Sequence, residues 1–297
     1  MAICFPGFEQ KHVVVSSIDG PIEIACLVGG SGPALLLLHG FPQTKAIWHQ
    51  VAPALAKHFT VVASDLRGYG QSSKPAGAQD HSTYSKRFMA ADQVALMKHL
   101  GHHQFFLLGH DRGGRVSHRL AMDHPECVKK LMVLDISPTL TMYESTTMEF
   151  ARGYWHWFFL IQPNPVPETL IGANPEFWLK NHMGRHAGTG IFSPERWAEY
   201  VAGVADPLGL RAMCEDYRAA ATVDLLHDRQ DRQEGKTLNI PLHVLWGQHG
   251  LVNQCFKPLE DWKLVAGQVT GKAVPCGHYI PEELPELVAQ ESRTFFA

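Results

Sequence analysis

The 297-residue chain has no CxxC pair, no HExxH string, no P-loop and no dinucleotide-binding glycine fingerprint. The first two absences remove the commonest zinc sites, and the last two remove the glycine-rich turns that cradle nucleotide phosphates. Positive charge is not in excess: 26 Lys plus Arg stand against 29 Asp plus Glu, a formal net charge of −3, and the pI is about 6.6. That balance offers neither a field for a nucleic-acid backbone nor a polybasic membrane address. Long apolar runs are missing too. The run Ala34 to Leu38 is far short of the ~20 residues that span a bilayer. The segment from Met1 to Phe8 lacks the basic start and apolar stretch of a secretory leader, and neither end carries a lipidation motif, so a cytoplasmic location is expected. Six scattered cysteines (Cys4, Cys26, Cys127, Cys214, Cys255, Cys276) fit reduced thiols in that compartment.

What is present points to a folded α/β protein. Hydrophobic residues make up 45% of the chain and charged ones 19%, which excludes disorder. The length suits one large domain or a domain with an insertion. His12–Ser17 and Ile22–Val28 predict an opening hairpin joined by the turn signal Asp19-Gly20. Ala34–Leu38, Thr60–Ser64, Gln104–Leu108, Lys130–Leu134, Leu242–Trp246 and Thr270–Val274 predict buried strands. Helical patterns lie between them, over Ser82–Leu100 and Arg115–Asp123 for example, so the sheet is expected to be mostly parallel and doubly wound. From Pro138 to about Thr237 the alternation stops. Helical periodicity over Met148–Leu160, Pro194–Ala202 and Arg211–Leu226 predicts an inserted helical lid over the sheet edge where open α/β sheets bind ligands.

Gly109-His110-Asp111-Arg112-Gly113 follows a predicted strand and opens a predicted helix. This is the strand–turn–helix elbow, whose tight turn needs small flanking residues and lifts the central side chain above the sheet. His39-Gly40-Phe41-Pro42 follows an earlier strand, and Gly277-His278-Tyr279 follows the last. Asp at the elbow, in place of Ser, suits displacement at saturated carbon. The resulting ester is then hydrolysed by water that His278 activates. These motifs resemble the α/β-hydrolase fold, most members of which carry the third triad residue in the loop after the strand matching Leu242–Trp246. Here that loop, Gly247 to Asn253, holds no carboxylate, so the resemblance implies that Asp135, at the end of the strand before the insertion, orients His278. Arg112 and Arg115 lie one helical turn apart beside Asp111, a pair suited to a substrate carboxylate.

In these motifs the chain resembles the α/β-hydrolase fold over nearly its whole length. The resemblance implies a core of residues 1–138 and 237–297, with a helical cap, 139–236, inserted after the sixth strand. It also implies an oxyanion hole built from the backbone N–H groups of Phe41 and Arg112. The strings His110-Asp-Arg-Gly-Gly-Arg115, Asp135-Ile-Ser-Pro-Thr139, Trp155-His-Trp-Phe-Phe159 and Met213-Cys-Glu-Asp-Tyr-Arg218 resemble the fluoroacetate (haloacetate) dehalogenases more narrowly. That likeness implies Asp111, His278 and Asp135 as a triad, Arg112 and Arg115 as the carboxylate clamp, and His156, Trp157 and Tyr217 as donors to the departing halide. It also implies a homodimer, a small haloacid and water as partners, and no cofactor or metal. One departure is Gly114, where Ala is expected. An epoxide hydrolase would share the nucleophile, base and oxyanion hole but needs two lid tyrosines, for which Tyr143, Tyr154, Tyr200 and Tyr217 are candidates. A ligand receptor of the same fold, with little or no catalysis, is a third reading. The 18 histidines show no ligand spacing.

Overall fold

The computed structural model describes residues 5–297, with the side chains of residues 185–187 left aside. Eight strands form one sheet: β1 (Phe8–Ser17), β2 (Gly20–Gly29), β3 (Ala34–Leu38), β4 (Thr60–Ser64), β5 (Phe105–His110), β6 (Val128–Leu134), β7 (Leu242–Gly247) and β8 (Val269–Val274). Their order is β1-β2-β4-β3-β5-β6-β7-β8. The pairs β1/β2 and β2/β4 are antiparallel, and every other pair is parallel. All residues of β3 and β5 are buried, as the continuous leucine and phenylalanine runs require of strands covered on both faces.

After β3 the chain builds outward to β4, then returns to lay β5 on the other side of β3. The strand order therefore reverses between β3 and β5, and a crevice opens at their carboxyl ends. His39 to Phe41 leave β3 there and Asp111 leaves β5.

Helices α1 (Val51–Leu55), α2 (Lys86–His99) and α3 (Arg112–Asp123) connect the first six strands. Between β6 and β7 run eight helices: α4 (Thr139–Glu144), α5 (Met148–Gly153), α6 (Trp155–Leu160), α7 (Val166–Gly172), α8 (Pro175–Ala187), α9 (Pro194–Ala205), α10 (Pro207–Ala221) and α11 (Val223–Gln233). Helices α12 (Leu251–Cys255), α13 (Pro258–Lys263), α14 (Ile280–Glu283) and α15 (Pro285–Phe296) complete the chain. No helix among the described residues is long and apolar enough to cross a membrane.

The differences from the sequence expectations are local. The hairpin turn is Ile18-Asp19, with Gly20 opening β2 at φ +116°, because Ser17 pairs directly with Gly20. The pattern over Ser82–Leu100 resolves into a short 3-10 turn and then α2, which Ser85 caps by accepting the Phe88 N–H. Met148–Leu160 divides at Tyr154, and Arg211–Leu226 divides at Thr222. Periodicity alone does not register such one-residue breaks, since the apolar face resumes after them. Cys26, Cys127, Cys214, Cys255 and Cys276 are free thiols; Cys4 lies outside the described residues.

Candidate active site

Asp111 sits between β5 and α3 at φ +45°, ψ −115°, a conformation a non-glycine residue adopts only under strain of about 1–3 kcal/mol. The turn is packed tightly enough to hold it. A Cβ on Gly113 would lie 2.3 Å from the Leu38 carbonyl oxygen, and one on Gly109 would lie 2.5 Å from Ser117 Oγ. At Gly114 the nearest obstacle is the Ile136 Cδ1 methyl, the mobile end of a side chain, so that position constrains packing and not the turn. The Asp111 carboxylate is directed to the crevice. The Phe41 N–H donates to its Oδ2 at 3.0 Å. Gly40 passes so close that a Cβ there would stand 2.8 Å from the same oxygen. Arg112 opens α3, and a first-turn N–H of a helix has no intrahelical acceptor. Burial works to raise the Asp111 pKa, but the neighbouring His278, Arg115 and Arg112 outweigh it and hold the carboxyl below its ordinary value.

His278 and Asp135, 143 positions apart, meet at 2.6 Å between Nδ1 and Oδ2. A carboxylate can only accept, so His278 carries its proton on Nδ1, and Nε2 is left basic. The other Asp135 oxygen accepts the Gly247 N–H at 2.8 Å. The loop without a carboxylate thus supplies a donor to the acid that stands in for one. His110 donates from Nε2 to the His278 carbonyl at 2.8 Å, and burial pushes its pKa down to about 3, so it is a neutral brace for the base loop. His39 plays a similar part, accepting the Leu66 N–H.

The two arginines are fully or nearly fully buried, yet their surroundings differ. Arg112 forks onto Asp216, with Nε at 3.1 Å from Oδ2 and Nη2 at 2.5 Å from Oδ1. Asp216 also takes the Tyr69 O–H at 2.6 Å and pairs with Lys86. Burial would raise the Asp216 carboxyl, but Arg112 and Lys86 reverse the shift and hold it far below the usual range. Only Arg112 Nη1 is left without a partner. Arg115 has no carboxylate within 4 Å among the described residues. Its Nη1 donates to the Ser137 carbonyl at 3.2 Å and to Thr139 Oγ1 at 3.0 Å, Nη2 lies 3.2 Å from Met142 Sδ, and Nε has no partner. Burial lowers the Arg115 pKa, and the nearby Asp111 charge opposes that shift. A buried guanidinium in this state has the Asp111 charge nearby but no carboxylate paired to it, a partner that an anionic ligand would supply.

His156, Trp157 and Tyr217 are buried on α6 and α10; His156 and Tyr217 pack on Phe41, and Trp157 packs on Tyr217. The Tyr217 ring lies 5.0 Å from Phe41, 5.8 Å from His156 and 6.4 Å from Trp157. Arg112 caps the Tyr217 ring at 4.2 Å and Arg115 caps Trp157 at 4.6 Å. Each arginine is therefore held against the face of a buried aromatic. Of the residues singled out in the sequence, Phe41, Asp111, Arg112, Arg115, His156, Trp157 and Tyr217 form one contact cluster and His278 meets Asp135 next to His110, whereas Tyr200 is turned to Glu282.

Several contributors escape sequence reasoning. Asp216, one position before Tyr217, is the counter-ion of Arg112, and its only trace is an acidic pair in a helix that also carries Arg211 and Arg218. Tyr154 packs 5.3 Å from His156 and 6.3 Å from His278. His182 packs 4.4 Å from His156. Of the lid tyrosines, Tyr200 gives its O–H to Glu282 at 2.7 Å, whereas the buried Tyr143 O–H has no partner. Among the described residues no group of three His, Cys, Asp or Glu could hold a metal ion.

Glu282 joins the loop after β3 to α9, since it also receives Gln43 Nε2 at 3.4 Å. Burial pushes its pKa up to about 7 against a downward pull from the Tyr200 hydrogen bond. The folded value lies above the unfolded ~4.3. Folding therefore favours the protonated acid, and stability is lost as pH rises from the unfolded value through 7. Glu282→Gln keeps an acceptor for Tyr200 and removes the titration. We expect a higher melting temperature than the parent at pH 8 and little difference at pH 4, measured by thermal unfolding at both; equal shifts would sink the assignment.

The description "alpha/beta hydrolase fold" matches residues 33–284. The chain is 45% identical to a fluoroacetate dehalogenase from Burkholderia sp, over 99% of this chain and 95% of that one. It is 35% identical to a soluble epoxide hydrolase from Corynebacterium sp. (strain C12), over 91% and 92%. A solved structure from Nostoc sp PCC 7120 superposes with a TM-score of 0.95 at 49% identity, covering 99% of both chains. The fold, the elbow and these likenesses agree that the chain is a hydrolase of the α/β-hydrolase superfamily and belongs within it to the haloacetate dehalogenase family.

Proposed function

We propose that the protein hydrolyses haloacetates, converting fluoroacetate or chloroacetate to glycolate and halide. The observation that carries this reading is Arg115, a buried cation with no carboxylate partner one helical turn from a buried aspartate. A substrate carboxylate seated on Arg115 and on the open Nη1 of Arg112 brings its α-carbon to Asp111. Asp111 displaces the halide by backside attack, with inversion at carbon, and forms an ester. His156, Trp157 and Tyr217 solvate the leaving halide from a pocket that excludes water, where N–H and O–H donors act most strongly. His278 Nε2 then takes a proton from water, which attacks the Asp111 carbonyl carbon. The charge develops on the oxygen that the Phe41 N–H already holds, with Arg112 N–H as its second donor. Asp135 keeps His278 in the required tautomer and stabilises it when charged. Residues 139–236 serve in this reading as the lid, and the free cysteines agree with a cytoplasmic enzyme. A homodimer is proposed from the family likeness.

The direct test follows halide release from fluoroacetate and chloroacetate. Stoichiometric glycolate is expected, and no halide from either acid would remove the proposal. In oxygen-18 water under single-turnover conditions the label should enter Asp111; label passing straight to glycolate would exclude the ester. The epoxide hydrolase relative favours a second reading, turnover of uncharged epoxides. Tyr200, committed to Glu282, is poorly available for that chemistry, and such a substrate would leave Arg115 without a counter-ion.

A further inference from the structure

We propose that the same site also hydrolyses α,β-epoxy acids (oxirane-2-carboxylates), using Tyr217 as the acid that protonates the opening ring. This rests on the carboxylate-clamp reading above and extends it to an oxygen leaving group.

In a haloacetate one carbon bears both the carboxylate and the leaving atom. An oxirane-2-carboxylate repeats that arrangement, because C2 carries the carboxylate and the ring oxygen. With the acid on Arg115 and Arg112, C2 lies before Asp111 and the ring oxygen lies where the halide would depart. The oxygen then faces Tyr217, whose ring is 5.0 Å from that of Phe41, the residue whose N–H holds Asp111. Among the described residues nothing accepts the Tyr217 O–H, unlike those of Tyr69, Tyr84 and Tyr200, which donate to Asp216, Pro75 and Glu282.

The electrostatics suit an acid needed only as the bond breaks. Burial and then the Asp111 charge raise the Tyr217 pKa well above the ordinary value, so the free enzyme holds it protonated. Attack turns Asp111 into a neutral ester and removes that charge. The phenol becomes more acidic in the step that makes an alkoxide, and the Arg112 guanidinium over its ring, at 4.2 Å, stabilises the developing phenolate.

The balance is complete. The Asp111–C2 bond forms as the C2–O bond breaks, and the ring oxygen takes the Tyr217 proton. Water then adds to the ester carbonyl carbon and gives one proton to His278; as the ester collapses, the second water proton passes to the departing C2 oxygen and the His278 proton neutralises the phenolate. The sum is epoxy acid plus water to a 2,3-dihydroxy acid, inverted at C2. Ring strain supplies the driving force that the poorer leaving group lacks.

The experiment measures glycerate from each enantiomer of oxirane-2-carboxylate, with chloroacetate, bromoacetate and uncharged 1,2-epoxypropane in parallel, for the parent and Tyr217→Phe. We expect glycerate from the parent and little diol from epoxypropane. Bromide leaves without a proton, so Tyr217→Phe should lower epoxy-acid turnover about 100-fold more than bromoacetate turnover, the scale of one general acid. Residual bromide release also reports that the variant is folded. Chloride release without glycerate overturns this proposal alone. No halide from any haloacetate overturns the clamp reading beneath it. Equal losses on both substrates remove Tyr217 as the acid, and epoxypropane turned over as fast as the epoxy acid removes the acid specificity.

Discussion

Asp111→Asn is expected to abolish haloacetate turnover, with kcat/KM reduced about 10⁴-fold or more, the scale on which losing a catalytic nucleophile is felt. An amide has neither the charge nor the nucleophilicity to displace a halide from saturated carbon. The fold should survive, because Asn tolerates positive φ and its side-chain oxygen can still accept the Phe41 N–H. What changes besides chemistry is the field. Asp111 is the anion that opposes the effect of burial on Arg115, so its removal leaves that guanidinium less compensated. Haloacetate should therefore bind the variant at least as tightly as it binds the parent, while no halide appears. Isothermal titration with chloroacetate, beside halide assays and circular dichroism, checks all three statements. Halide release near the parent rate would sink Asp111 as the nucleophile.

The second large effect belongs to His278→Asn. Attack by Asp111 needs no general base, whereas ester hydrolysis does. Loss of the base should slow turnover about 10²–10⁴-fold. The deficit should appear only after the first halide has left. We expect a burst of one halide per protein, followed by near arrest. Intact protein should gain about 58 Da, one glycolyl ester on a carboxylate. Digestion should locate it on the peptide carrying Asp111. Asp135 is not stranded by the change, since the Gly247 N–H still donates to Oδ1. Slow turnover without burst or mass gain would mean that His278 acts before or during displacement, contrary to the proposed sequence of steps.

The two variants separate what a local motif encodes from what distant packing adds. The elbow was legible because its constraints are local. A strand of buried apolar residues must end in a turn too tight for a Cβ at Gly109 or Gly113, and Asp111 stands between them. The alternative acid was legible for a related reason. An empty loop after β7 and an aspartate at the end of β6 are facts of order along the chain, and the adjacency of β6 and β7 turns that order into proximity. The lid was legible only as helical. Its breaks at Tyr154 and Thr222 were hidden because a single non-helical residue hardly disturbs a 3.6-residue period, yet the break at Tyr154 sets the direction of His156 and Trp157.

By itself, then, the sequence determined the strands of the sheet and the tight turn that carries Asp111, since both follow from short-range sterics and the pattern of apolar residues. Tertiary structure decided which charges are neutralised and which are left open. Asp216, 104 positions from Arg112, takes that guanidinium's fork, and nothing equivalent reaches Arg115. Glu282 takes the Tyr200 O–H across 82 positions, whereas Tyr217 keeps its own. A buried polar group is defined by whether a partner reaches it within about 3 Å. The packing of α9 and α10, which carry Tyr200 and Asp216, sets that distance, and no spacing along the chain records it.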